Sequence, residues 1–304
     1  MSADPALSSP ERLTLDLPTV RLEALAWGPA DGRLVVALHG FPDTAHSWRH
    51  LGPYLAGRGC RVVAPFTRGY APSGLPTDGC LHVAALMADA AGVHAALGGG
   101  DDAVLVGHDW GAITANALGA HERSPYARIV AMSVPPLRTM DQRSPRVLAR
   151  QARHSWYVGF NQLPLLPERT LPRLVRKLWR DWSPGYDASD DLPHVLAALE
   201  RPEHRSAAVG YYRAIRAPWR VPASYADWKR TWDGTPTVPT LYLHGADDGC
   251  LEPCFADGLV DRLPAGSRAV TVADAGHFLQ VEQPAAVNRL VAEFVTGSVT
   301  GGAA

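Results

Sequence analysis

No stretch of this 304-residue chain approaches the roughly 18 consecutive apolar residues that a transmembrane helix needs. The opening MSADPALSSPERLTL lacks the basic, apolar and small-residue sections of a secretory signal. A cytoplasmic location, away from membranes, is therefore the expectation. An excess of one charge is also missing. With 29 Lys and Arg against 30 Asp and Glu, the net charge is -1, which gives no reason to expect nucleic acid or anionic lipid as a partner. Cysteine is scarce as well: Cys60, Cys80, Cys250 and Cys254 are too few and too scattered for a disulfide framework, so free thiols in a reducing compartment are expected. Cys250 and Cys254 have no second Cys or His pair at ligand spacing, so no metal is expected. Internal repeats are absent.

What is present describes a globular protein, 46% hydrophobic and 19% charged. Short apolar runs bounded by Gly, Pro or charge recur as LVVALHG (34–40), RVVAPFTRG (61–69), AVLVGHD (103–109), RIVAMSVP (128–135), TLYLHGADD (240–248) and RAVTVADAGH (268–277). Runs apolar on both faces suit strands that are covered on both sides, as in parallel sheets. Helical spacing lies between and after them, at 81–97, 112–122 and 284–297, so strand and helix alternate and a doubly wound α/β sheet is expected. The alternation breaks between Pro136 and Pro236. That stretch, rich in Arg, Trp, Tyr and Pro, offers helices near 143–160, 168–180, 190–201 and 204–217. It divides the chain into a core (1–136), a helical insertion (137–235) and the rest of the core (236–304). The closing TGSVTGGAA is expected to fray.

The segment VLVGHDWGA (104–112) reads as strand, sharp turn and helix, the layout of G-x-S-x-G, with Asp109 where that pattern has serine. At such a turn a carboxylate stands beside the first free N–H groups of the following helix. Taken alone, Asp109 serves equally well as a helix N-cap.

The order of LHGFPD (38–43), RGYAPSG (68–74), GHDWG (107–111), LHGADDGC (243–250) and GHFLQVEQP (276–284) resembles the α/β-hydrolase superfamily over nearly the whole chain, and within it the epoxide hydrolase branch that uses an aspartate nucleophile. The resemblance implies an α/β-hydrolase fold, a mostly parallel sheet with helices on both faces and an inserted helical cap. It implies that Asp109 displaces a leaving group at an sp3 carbon to give an enzyme ester. His277 then activates water against that ester, oriented by Asp248, while Asp247 stays solvated. The backbone N–H groups of Phe41 and Trp110 form the oxyanion hole, and Phe41, Pro42, Trp110 and Trp156 contact substrate. Pro42 belongs to a turn that is usually cis in the family. His39 and Arg68 are assigned to structure or to shaping the pocket rather than to catalysis.

Two branches share the aspartate. Haloalkane dehalogenases typically carry Asn in the position of Phe41, and fluoroacetate dehalogenases usually follow the nucleophile with Arg where Trp110 stands, so a dehalogenase is the alternative. Epoxide hydrolases hold the epoxide oxygen with two cap tyrosines, and a phenol with pKa near 10 is matched to protonating an opening ring. SWYVGFNQLP (155–164) and GYYRAIRAP (210–218) are similar to those cap motifs, which assigns Tyr157 and Tyr212. Asn161 departs from the aromatic residue common there. The implied partners are an epoxide and water, with no cofactor; a homodimer through the cap or the core edge is compatible with the resemblance.

Overall fold

The computed structural model describes residues 9–140 and 144–297. Eight strands form one sheet in the order β1-β2-β4-β3-β5-β6-β7-β8. The six apolar runs of the sequence are β3 (Arg33–Leu38), β4 (Cys60–Pro65), β5 (Val104–His108), β6 (Arg128–Met132), β7 (Thr240–Gly245) and β8 (Arg268–Val272), all mutually parallel. In β3, Leu34, Val36 and Leu38 enter one core while Val35 and Ala37 enter the other. That alternation is why both faces had to be apolar: successive side chains leave a strand on opposite sides.

Two further strands precede them. β1 (Glu11–Asp16) and β2 (Arg21–Trp27) form an antiparallel hairpin at one edge, and β2 also pairs antiparallel with β4. β1 is exposed along most of its length, so its apolar signal is weak.

Helices α2 (Val83–Ala96) and α3 (Trp110–Gly119) cover one face, with Val83, Met87, Ala115 and Leu118 in the first core. α1 (Leu51–Ala56) and α10 (Pro284–Thr296) cover the other through Leu51, Leu55, Val287 and Val291. α9 (Leu279–Glu282) precedes α10. Each fully buried Val or Leu in these layers contributes about 1.5–3 kcal/mol relative to exposure.

Between β6 and β7 the described residues contain no strand. They form α4 (Pro145–His154), α5 (Trp156–Phe160), α6 (Leu166–Trp182), α7 (Leu192–Ala198), α8 (Pro202–Ala214) and short 3-10 turns. α6 buries Leu171, Leu174, Val175, Leu178, Trp179 and Trp182, the spacing of one helical face. That face joins the first core, and the end of α6 meets the loops that follow β7 and β8, where the Trp182 carbonyl accepts from Gly249 and His277 and Trp179 stacks on Phe278. α10 ends at Thr296, and the tail expected to fray lies, beyond Gly297, outside the described residues.

Candidate active site

Asp109 occupies the turn between β5 and α3 with φ 51° and ψ -113°, a backbone conformation that non-glycine residues rarely adopt and that concentrates at functional sites. Gly111 makes the turn possible, because a Cβ there would meet the carbonyl oxygen of Leu38 at 2.1 Å. The Phe41 N–H donates to Asp109 Oδ1 at 2.7 Å. Trp110 opens α3, where the first N–H groups of a helix have no partner within it. Of the two groups expected at the oxyanion hole, the Phe41 N–H thus meets the Asp109 carboxyl and Trp110 follows Asp109 at the start of α3, and Asp109 is no simple helix cap, since its side chain makes no capping bond to α3.

His277 follows β8 and is fully buried. Its Nδ1 lies 3.0 Å from Asp248 Oδ2, and its Nε2 lies 3.8 Å from Asp109 Oδ2, too long for a hydrogen bond. The ring therefore stands between the two carboxyls. Asp248 Oδ1 accepts the N–H groups of Cys250 and Leu251 at 2.7 and 3.0 Å, leaving Oδ2 for the imidazole. Asp247, by contrast, is exposed. Burial by itself would lower the His277 imidazole, but Asp248 and then Asp109 outweigh it and raise it to about 10. Burial would raise Asp248, yet the charge of His277 holds it below the usual carboxylate range.

The backbone of His277 is held from three sides. Its carbonyl accepts from Ser133 Oγ at 2.7 Å and contacts His108 Nε2 at 2.9 Å. Its N–H donates to the Trp182 carbonyl at 3.0 Å, and that same carbonyl accepts the Gly249 N–H at 3.0 Å. The last turn of α6 therefore anchors both the loop of His277 and the loop of Asp248.

Tyr157 and Tyr212 come from α5 and α8 and are both buried. Tyr212 packs edge-on against Phe41 and Trp110, ring centroids 5.1 Å away in each case. Tyr157 packs edge-on against Trp182 at 4.9 Å, and Trp182 in turn against His277 at 4.9 Å. The Tyr212 hydroxyl and His277 Nε2 are buried without a hydrogen-bond partner. Burial raises both phenols well above the ordinary value, with the Trp110 side chain acting in the opposite direction on Tyr212. Neutral O–H donors result. From the core side, a cavity lined by Leu38, His39, Pro65, Thr67, Trp110 and Tyr211 adjoins this set.

The structure thus brings together Asp109, His277, Asp248, Tyr157, Tyr212, Phe41 and Trp110. Pro42 is beside them, in a cis peptide, with its carbonyl accepting from the Trp179 indole at 2.8 Å. Trp156 is not with them. It is 42% exposed, packing on Phe160 beneath Lys177, because successive residues of a helix point in different directions and Tyr157 takes the inward one. His39 and Arg68 are both held by neighbouring groups: His39 Nε2 accepts the Thr67 N–H at 3.0 Å while lining the cavity, and buried Arg68 grips both oxygens of Asp89.

Three neighbours of the site were not anticipated. Cys250 Sγ lies 3.4 Å from the Tyr157 hydroxyl, Trp182 walls Tyr157 and His277, and His108 stacks at a tilt on His277 with centroids 4.8 Å apart. Cys250 and His108 sit inside the motifs that revealed Asp248 and Asp109; Trp182 carried no local signal. Among the described residues, Asp248, Cys250 and His277 could converge on a cation. Burial pushes the Cys250 thiol well above its ordinary range, and Asp248 Oδ2 is engaged with His277 Nδ1 at 3.0 Å.

A family model described as alpha/beta hydrolase fold matches residues 33–284. Epoxide hydrolase A of Mycobacterium tuberculosis is 28% identical over 96% of this chain and 99% of its own length. AB hydrolase superfamily protein YfhM of Bacillus subtilis is 29% identical over 91% of this chain and 94% of its own length. The crystal structure of epoxide hydrolase A from Mycobacterium thermoresistibile superposes with a TM-score of 0.75 at 26% identity, covering 95% of this chain and 99% of that one. No helix among the described residues is long and apolar enough to cross a membrane.

Proposed function

We propose, for a chain that belongs to the α/β-hydrolase-fold family, that it is an epoxide hydrolase, converting an epoxide and water to a vicinal diol through an ester on Asp109. The epoxide hydrolases among its full-length relatives support the substrate class. The observation that carries the mechanism is the unequal treatment of the two Asp109 oxygens. Oδ1 is tied to the Phe41 N–H, whereas Oδ2 faces His277 without a hydrogen bond.

The helices of 137–235 act as a cap, and the substrate sits between it and the turn at Asp109. Tyr157 and Tyr212 hydrogen-bond the oxirane oxygen. Asp109 Oδ2 attacks a ring carbon, the C–O bond of the ring breaks, and the departing oxygen takes a proton from a phenol. The product is a neutral ester. With the Asp109 charge gone, one of the two influences that raise His277 disappears, so the imidazolium gives up its proton, which restores the phenol, and the neutral imidazole can then take a proton from water. Hydroxide attacks Cγ of Asp109, and the oxyanion on Oδ1 lies where the Phe41 and Trp110 N–H groups stabilise it. Collapse breaks the Cγ–Oδ2 bond, the departing alkoxide takes the proton held by His277 and leaves as the diol, which carries Oδ2 away, and the Asp109 carboxyl, with water's oxygen in its place, returns its proton to His277. A dehalogenase lacks comparable support: position 41 supplies no second side-chain N–H for a halide.

The expected cytoplasmic location belongs to the same reading, supported by four free cysteines. So does a homodimer, supported by the exposed Leu163, Leu165 and Leu166 and tested by light scattering. The decisive experiment for the activity is mass spectrometry of His277→Gln after mixing with styrene oxide. An adduct of the substrate's mass on the Asp109 peptide is expected, absent in Asp109→Ala. No adduct from a panel of epoxides, together with no diol from the wild type, overturns the proposal.

A further inference from the structure

Asn161 ends α5 in a helical conformation, its N–H donating to the Tyr157 carbonyl at 2.9 Å. Its own carbonyl accepts Arg213 Nε at 2.9 Å. The neighbouring Gln162 amide ties this turn to α8 by donating to the Val158 and Tyr212 carbonyls at 3.1 Å. The backbone of Asn161 is thus fixed from both sides. Its side chain is 0% exposed, and neither Oδ1 nor Nδ2 has a partner.

A buried carboxamide with both ends unsatisfied is costly, and an apolar side chain of similar size would not bear that cost. Position explains its retention. Residues four apart on a helix share a face, with Cβ atoms about 5–6 Å apart, so Asn161 lies one turn along from Tyr157, whose ring meets those of Tyr212 and Trp182. Its amide is one of several buried groups without a protein partner, among them the Tyr212 hydroxyl, His277 Nε2, His108 Nδ1 and Glu168 Oε2. The reaction accounts for the first two of these, and among the described residues Asn161 alone leaves both a donor and an acceptor unmatched on one side chain.

Resting on the epoxide hydrolase reading, we propose that Asn161 is a specificity-determining residue whose carboxamide hydrogen-bonds a polar substituent of the epoxide, about one helical turn from the oxirane. A carboxamide both donates and accepts, so a hydroxyl, carbonyl or amide fits. The substituent is neutral, because Asp109 and Asp248 are buried close by and an anion would meet their field. The substrates are epoxides with a hydrogen-bonding group on a short chain, rather than purely hydrocarbon epoxides.

The test compares butyloxirane with its ω-hydroxy analogue on the wild type and on Asn161→Leu. The preference for the hydroxylated epoxide in kcat/KM is expected to fall by about ten- to a hundredfold in Asn161→Leu, with no loss of thermal stability. An unchanged preference overturns the assignment. A second arm needs neither turnover nor a variant: quenching of wild-type tryptophan fluorescence by the triol and the diol that these epoxides would yield. Tighter binding of the triol is expected, and equal binding overturns the role of Asn161. If neither epoxide is turned over while the triol binds more tightly, the epoxide hydrolase reading fails and the polar contact at Asn161 stands.

Discussion

The rings of Tyr157 and Tyr212 meet edge to face, centroids 5.6 Å apart and planes at 88°, but their hydroxyls are not equivalent. Tyr157 shares its O–H with Cys250 Sγ, while Tyr212 has no partner. Phe at either position keeps the ring packing and removes only the O–H. Tyr212→Phe and Tyr157→Phe are each expected to slow ester formation by roughly 10²-fold, leaving hydrolysis of the ester unchanged. Stopped-flow fluorescence of the neighbouring Trp110 and Trp182 separates the two steps; an unaltered first phase in both variants would remove the tyrosines from the mechanism.

The Phe41 N–H on Asp109 Oδ1 makes a prediction about oxygen. A single turnover with enzyme in excess, run in heavy-oxygen water, should give unlabelled diol and place the label in the Asp109 peptide. Label in the diol after one turnover means direct attack by water.

Gly40 touches Asp109. A Cβ there would lie 2.4 Å from both Cβ and Oδ1 of Asp109, so Gly40→Ala must displace the carboxyl. A displacement of about 1 Å can cost roughly 10²-fold in rate, and a loss of that order in kcat is expected, with a lower Tm. Wild-type kinetics in Gly40→Ala would show that the turn tolerates such a shift.

Stability should peak near neutral pH. Burial holds His39, His46 and His82 at about 4 and His108 at about 3, below the ordinary imidazole value of 6.5. Groups depressed in the folded state contribute above the unfolded value, and that contribution is lost as pH falls through about 6.5 to 4. Asp43, raised by burial to about 7, opposes this trend but is outnumbered. On the alkaline side His277 works the other way: raised to about 10, it contributes fully below 6.5, and the contribution is lost as pH rises toward 10. Thermal melts across pH should therefore fall on both sides, and Asp248→Asn should flatten the alkaline limb. An alkaline limb unchanged in Asp248→Asn would contradict the pairing.

Arg68 is buried with both guanidinium edges occupied by Asp89 and the Cys80 carbonyl. Removing one partner of such a pair typically costs about 3–5 kcal/mol. Arg68→Met should lower the denaturant midpoint accordingly while sparing the rate per folded molecule; a stable variant with a reduced rate would move Arg68 into the chemistry.

The six parallel strands were legible because burial on two faces demands continuous apolar runs. The β1–β2 hairpin was not, since β1 alternates Glu, Arg, Thr and Asp with its few leucines and is held by pairing at the edge. Asp109, Asp248 and His277 could be read from motifs that serve a turn or a strand end, where local chain geometry and chemistry coincide. Tyr157 was legible in the same way, yet Trp156 beside it was assigned to the pocket because a motif does not report which way each residue of a short helix points. Trp182 and Cys250 enter only through packing between α6, α5 and the loop after β7.

The Trp182 carbonyl that accepts from both Gly249 and His277 has a bearing on protein engineering. The cap is not an exchangeable cartridge. A cap grafted from a relative to broaden substrate range brings its own α6 terminus, and with it a new spacing between the loops of Asp248 and His277. Grafts that keep the last turn of α6 native should retain turnover, and designs that replace it must re-establish one acceptor shared by two loops.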